Sequence, residues 1–199
     1  NISLNAKYTF FLNTYGSLYA ISNDDMQVKW FINLNQSLDI NPSNLFSGNQ
    51  IINDQKRVYV SSDEFTYVID ADNGSIIFKK NFSSLVKPLL INNHLLLISK
   101  NNLLIMTDID DGKIIYSLDI NQEISEFVKS KKKKVQFKNI MFINNKVFVF
   151  LKNSFVLRFN LNGKLEEISK FSKKINTFHI VLNRSILYFD YKNKLYVVN

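Results

Sequence analysis

Apolar and polar residues alternate with a period of two along this chain, in short runs separated by Asn, Asp, Ser and Gly. That is the pattern of strands joined by tight turns. The runs also come in near-copies. "LYAISNDDMQVKWFINL" (Leu18 to Leu34), "YVIDADNGSIIFKKNF" (Tyr67 to Phe82), "LIMTDIDDGKIIYSLDI" (Leu104 to Ile120) and "FVLRFNLNGKLEEISKF" (Phe155 to Phe171) each read strand, corner, strand. A fifth copy begins at "KLYVVN" and runs to Asn199. The residues that end the first strand of each copy are Ser22, Asp70, Asp108, Asn160 and Asn199, at spacings of 48, 38, 52 and 39. This is the period of propeller blades, each a four-stranded antiparallel sheet. Leucine-rich repeats are shorter, and helical repeats would show a period near 3.6 rather than two.

The strands inside each copy can be placed. Arg57 to Ser61 and Phe65 to Asp70 flank the turn "SDE" as a hairpin, and the Asp72-Asn73-Gly74 corner leads into Ser75 to Asn81. The third copy repeats this with "HLLLIS", "LLIMTD", Asp110-Asp111-Gly112 and "KIIYSLD"; the fourth uses "KVFVFL", "FVLRFN", Asn162-Gly163 and "KLEEIS". Glycine supplies a positive φ at such corners, and Asp or Asn caps them. Met26 stands in the glycine position of the first copy, so that corner either takes another shape or carries strain. Trp30, Phe78 and Tyr116 recur at one position of the strand after the corner. They could wall a flat ligand, but a repeated equivalent position points to a repeated packing task, the wedge between neighbouring blades. A blade cannot bury both of its faces alone, and stacked neighbours complete its core. The expected fold is all-β: a β-propeller of four-stranded antiparallel blades, about four and a half of them, in one domain over residues 1–199.

Composition refines this picture. With only 5 Gly and 2 Pro, the turns must rest on Asn and Asp, which tolerate left-handed backbone. There is no Cys, so disulfides, thiolate catalysis and Cys-based metal sites are excluded, while the compartment stays open. The start, "NISLNAKYTFFLN", has no signal-peptide pattern, and the apolar run "MFINNKVFVFL" is broken by Asn144, Asn145 and Lys146. Without an initial Met, the chain reads as a fragment or a mature domain. The net charge of +8 is concentrated at Lys129 and Lys131 to Lys134, in "VKSKKKKVQFK". This run reads either as a solvated loop or as a docking site for an acidic partner or anionic surface.

The repeats resemble the pyrroloquinoline-quinone-type propeller repeat, usually "LYALDAxTGxxxW", at "LYAI…VKW", "YVIDADNGSIIF" and "LIMTDIDDGKIIY". That resemblance implies a ring of seven or eight blades, of which an N-terminal part lies outside this chain. The hairpin of Ser185 to Asp190 with Lys194 to Val198, followed by no corner and no last strand, is similar to the ending of BamB-type lipoproteins of the outer-membrane β-barrel assembly machinery. The BamB resemblance implies a non-enzymatic periplasmic scaffold associated with the outer membrane. Its partner would be a protein, the barrel-forming subunit; it would need no cofactor and would touch the membrane only through a lipid anchor outside this chain. It also implies that the connection after "VKW" helps dock the partner, through Ser37, Leu38, Ile40, Asn41, Asn44, Leu45 and Phe46. The residues point the same way: 36–50 show no alternation and carry apolar Leu45 and Phe46, as binding loops on rigid scaffolds often do. Those two side chains could equally tuck against a blade edge. The insertion from Glu123 to Asn139 lengthens the 52-residue spacing, and its Lys131, Lys132, Lys133 and Lys134 are a second, electrostatic contact candidate.

Signals of catalysis are thin. His94 and His179 are far apart and lie next to apolar strands. No His/Asp/Glu grouping has metal-ligand spacing, and no phosphate loop or nucleophile elbow occurs. Asp70, Asp108, Asp110 and Asp111 are accounted for as corner caps. Asp24-Asp25 and Glu166-Glu167 are adjacent and would face opposite ways within a strand. The enzyme alternative is a quinone-dependent dehydrogenase, which shares the repeat but is longer and binds calcium beside the quinone. Nucleic acid is not expected as a partner, because the lysine run lacks interleaved aromatics or arginines.

Overall fold

Every alternating run becomes a strand. The computed structural model describes residues 1–35, 51–62, 64–131, 134–173, 175, 180–182 and 185–198. The chain divides into two compact units, Asn1–Ile120 and Asn121–Asn199. The first unit holds three four-stranded antiparallel sheets. They are β1 (Ile2–Leu4), β2 (Tyr8–Leu12), β3 (Ser17–Ser22) and β4 (Val28–Asn33); β5 (Ile52–Asn53), β6 (Arg57–Ser61), β7 (Thr66–Asp70) and β8 (Ile76–Lys80); and β9 (Leu89–Ile91), β10 (His94–Ile98), β11 (Leu103–Asp108) and β12 (Ile114–Asp119). Each is a meander with strands paired in chain order. A short helix, α1 (Ile120–Phe127), follows. The second unit then has β13 (Phe137–Ile143), β14 (Lys146–Leu151), β15 (Phe155–Phe159) and β16 (Leu165–Lys170) in one sheet, and β17 (Ile180–Leu182), β18 (Ser185–Phe189) and β19 (Leu195–Val198) in another.

The period of two explains how the core is shared. In β6, Val58 and Val60 pack with Phe10, Leu12, Leu18 and Ala20 of the first sheet, while Tyr59 between them packs with Leu95, Leu97 and Ile105 of the third. β7 does the same, sending Tyr67 and Ile69 one way and Val68 the other. All of these side chains are buried, so the second sheet is apolar on both faces. In the second unit Phe150, Val156, Phe171, Ile175 and Tyr188 form the equivalent layer. Its rings stack, with centroids of Phe171 and Tyr188 5.1 Å apart and of Tyr188 and Tyr196 5.4 Å apart.

The corners are built alike. The N–H of Met26, Gly74 and Gly112 donates to the carbonyl of Ser22, Asp70 and Asp108 at 3.0, 3.0 and 3.1 Å. All three take a positive φ, at 57°, 76° and 69°. Met26 therefore keeps the shared shape and bears the strain, which settles the choice left by the sequence. Asp70 caps its corner, its Oδ1 accepting from the N–H of Asp72 and Asn73 at 2.9 and 3.0 Å. The fourth corner is one residue shorter, with Gly163 N–H donating to Asn160 O at 3.1 Å.

The turn between β18 and β19 is closed like that fourth corner, where Asn160 N–H also donates to Lys164 O at 3.0 Å. Asp190 N–H donates to Lys194 O, and Asn193 N–H to Asp190 O, both at 3.0 Å. The same pair of bonds closes the turn between β2 and β3 (Asn13, Gly16, Ser17) and between β10 and β11 (Ser99, Asn102, Leu103). Two features differ from the sequence reading. The segment taken as an insertion from Glu123 to Asn139 begins inside a helix and ends inside β13, because Phe137 and Asn139 already pair with Leu151 and Phe150. Asp24 and Asp25 lie in a corner rather than a strand, and Asp25 binds Lys29 at 2.6 Å.

Candidate functional site

The recurring aromatics are packing groups. Trp30 lies over the second sheet's corner, where a Cβ on Gly74 would come 2.7 Å from the indole. Its Nε1–H donates to Ala71 O at 2.9 Å. Phe78 sits over the third corner in the same way, 2.8 Å from where a Cβ on Gly112 would stand. Glycine at these corners thus answers two demands, a left-handed φ and room for the preceding sheet's ring. Tyr116 has a buried hydroxyl without a hydrogen-bond partner among the described residues, and burial pushes its pKa up to about 12.

Several of the acidic residues are occupied. Asp110 does more than cap a corner: it pairs with Arg57 of the neighbouring sheet and accepts from Asn93 Nδ2 at 2.8 Å. Those two contacts, Asn93 first, hold its carboxyl below the usual range. Asp72 meets Lys7 at 3.2 Å at the equivalent place one sheet earlier. Glu166 binds Lys146 at 2.6 Å, which lowers its pKa, and Glu167 binds Arg158 Nη1 at 2.7 Å. His94 starts β10 opposite Asp108, and His179 lies outside the described residues. Among the described residues no three His, Cys, Asp or Glu side chains come together as metal ligands. A cleft of about 270 Å³ in the second unit is lined by Phe148, Val156 and Ile186 together with Arg158 and Glu167. That is at the lower limit of small-molecule pockets.

Large apolar side chains are left in water instead. The face of the first sheet turned away from the second carries a cross-strand row of Ile2, Phe11, Tyr19 and Phe31, register partners on four successive strands. The rings stack at 6.3 Å (Phe11 to Tyr19) and 5.8 Å (Tyr19 to Phe31). Leu4, Thr9, Ile21 and Val28 form a second row, apolar but for the threonine, and Ile2, Leu4 and Phe31 are about two-thirds exposed, at 67%, 70% and 67%. The three-stranded sheet likewise exposes Ile180, Leu182, Phe189, Leu195 and Val197. The sequence held the signal for the first face. In "YTFFL" and "SLYAIS" both alternating sets carry large apolar or aromatic residues, the pattern of a sheet apolar on both faces.

Of the docking residues expected from the sequence, Ser37, Leu38, Ile40, Asn41, Asn44, Leu45 and Phe46 lie outside the described residues, as do Lys132 and Lys133. Lys131 and Lys134 are exposed, on the excursion that follows α1. Its base is clasped by Asn121, whose buried side chain accepts from Val135 N–H at 3.0 Å. The helix ends in a Schellman closure, with Ser130 N–H donating to Ser125 O at 2.9 Å and Lys129 N–H to Glu126 O at 3.3 Å. Lys129 takes the left-handed position, φ 50°, that glycine usually fills.

No protein-family model matches the sequence, and no curated protein does. Solved structures match its fold. BamB from Moraxella catarrhalis superposes with a TM-score of 0.74 at 13% identity, over 98% of this chain and 56% of that one. The computationally designed Ika8 protein gives 0.73 at 11% identity, over 99% and 57%. A quinohemoprotein alcohol dehydrogenase from Pseudomonas putida gives 0.66 at 10% identity, over 98% and 39%. The chain thus spans little more than half the length of the BamB structure. Its fold is the array of quinone-repeat propeller blades that BamB and the quinone-dependent dehydrogenases have in common.

Proposed function

We propose that this chain is a protein-binding scaffold of the BamB kind, at work in the periplasm on outer-membrane β-barrel assembly, rather than an enzyme. The observation that carries this reading is the split between its charged and apolar side chains. Asp25, Asp110, Glu166 and Glu167 are tied to cations of the chain itself, whereas Ile2, Leu4, Phe11, Val28 and Phe31 face water as a contiguous sheet face. Acid–base chemistry needs carboxylates free to change charge; association needs apolar surface. The occupant that fits the bare face of the first sheet is another blade of the same repeat, since its two rows have the aromatic and aliphatic make-up of the covered face. The likeness to BamB along nearly the whole chain, at just over half of that protein's length, supports this occupant. The barrel-forming subunit would be held by the connection at residues 37–50.

The test is co-purification with that subunit, using wild type and a variant with residues 37–50 replaced by a Gly/Ser linker. Capture by the wild type alone supports both the scaffold and its loop. The likeness to quinohemoprotein alcohol dehydrogenase favours one other reading, a quinone-dependent dehydrogenase. Failure to capture the subunit, together with saturable binding of quinone and calcium and reduction of a dye by alcohols, would establish that reading instead.

A further inference from the structure

The excursion after α1 has a composition that neither blade packing nor partner docking through residues 37–50 uses. Phe127 and Val128 are adjacent large apolar side chains, 47% and 49% exposed, at the end of the helix. Lys129, Lys131 and Lys134 follow, all exposed and with no ion pair among the described residues. Lys132 and Lys133 add their charge in sequence. Two acidic residues, Glu123 and Glu126, lie on the helix itself, where Glu126 accepts from Gln122 Nε2 at 2.8 Å. The left-handed Lys129 turns the chain sharply after Val128, so the apolar pair and the first lysines share one tip. The Asn121 clasp closes that tip at its base.

We propose that this tip docks on an anionic lipid surface, with Phe127 and Val128 entering the headgroup boundary and the lysines lying among the lipid charges. Charge complementarity selects the occupant. All five cations are lysines, which act as hydrated point charges on flexible stems, and none is an arginine able to grip one carboxylate or phosphate through two hydrogen bonds. Such a run responds to charge density over an area rather than to a shaped ligand. An apolar pair beside it is what shallow insertion at a bilayer interface requires. Eight residues of α1 are far too few to span a membrane, so the contact is peripheral.

The test uses the full chain and phosphatidylcholine vesicles with and without phosphatidylglycerol. Co-sedimentation is expected only with the anionic vesicles and should fade as salt is raised. Replacing Lys129, Lys131 and Lys134 with Ser should weaken partitioning roughly fivefold per lysine. Phe127→Trp places a reporter at the tip, and its emission should shift to the blue on anionic vesicles while far-UV circular dichroism stays unchanged. Equal binding to neutral vesicles, or an unaffected triple-lysine variant, would overturn the proposal. So would binding without a blue shift, or a preference for an acidic peptide over the vesicles. No assembly subunit is present in these measurements, so their outcome is independent of the scaffold reading.

Discussion

The corners at Ser22–Met26 and Asp70–Gly74 have the same hydrogen bond and nearly the same backbone, yet one places methionine where the other has glycine. The difference lies in what is packed on top. Met26 is 77% exposed, and its side chain runs into solvent. Gly74 lies under the indole of Trp30, with no room for a single added carbon. A left-handed φ alone costs an ordinary residue about 1–2 kcal/mol, which a fold can absorb. A ring resting on the corner adds a steric demand that only glycine meets.

The sharpest way to break this comparison is Gly74→Ala, which should destabilise by about 2–5 kcal/mol from backbone strain plus overpacking against Trp30. In a double-mutant cycle, Trp30→Ala should relieve the steric part and leave the strain; full additivity in urea unfolding would refute the packing account. Trp30→Phe keeps a ring over the corner but removes the indole donor, leaving Ala71 O without that bond. The expected loss is about 1–2 kcal/mol, read from the same unfolding midpoints. Met26→Gly should go the other way and stabilise by about 0.5 kcal/mol, because relieved strain exceeds the added freedom of the unfolded chain. A destabilised Met26→Gly would mean that the methionine side chain has a contact worth more than the strain.

The smallest effect concerns charge. Asp25 is held at about 2, first by the hydrogen bond from Lys29 and then by Ser22 and the Gln27 backbone. A depressed carboxyl supports the fold above its ordinary value of 3.8, and that support disappears as pH falls through about 2. Lys29→Met should raise the Asp25 titration midpoint followed by NMR; an unmoved midpoint would assign the shift to the turn alone.

Much of the blade was legible because its signals are local. Asp-x-Asp-Asx-Gly placed the second and third corners, and the short apolar runs "RVYVS" and "HLLLI" between turn residues located strands whose register follows from the turns. The interface roles of the corner residues were less visible. Asp110 looks like one more cap until Arg57 arrives from a strand 53 residues earlier in the chain. The helix was missed although Ile120, Ile124 and Phe127 stand at helical spacing. A helix of eight residues is marginal on propensity alone, and closure by Asn121 and by the left-handed Lys129 is not a pattern that alternation reveals. The exposed rows of the first sheet were readable in part: doubled apolar alternation says that both faces want cover, but only the folded sheet shows which one lacks it.

Trp30 reaching to Gly74 and Phe78 reaching to Gly112 make each of these junctions directional: a ring is offered forward and a bare corner is presented backward. A gene duplication that copies one whole repeat would add one ring and one corner together, so the junctions on either side of the newcomer would be chemically those already in place. Growth by whole repeats would then need no compensating change elsewhere, whereas gain or loss of half a repeat would strand a ring without its corner. In this chain the repeat is the smallest piece that could be added without leaving a junction incomplete.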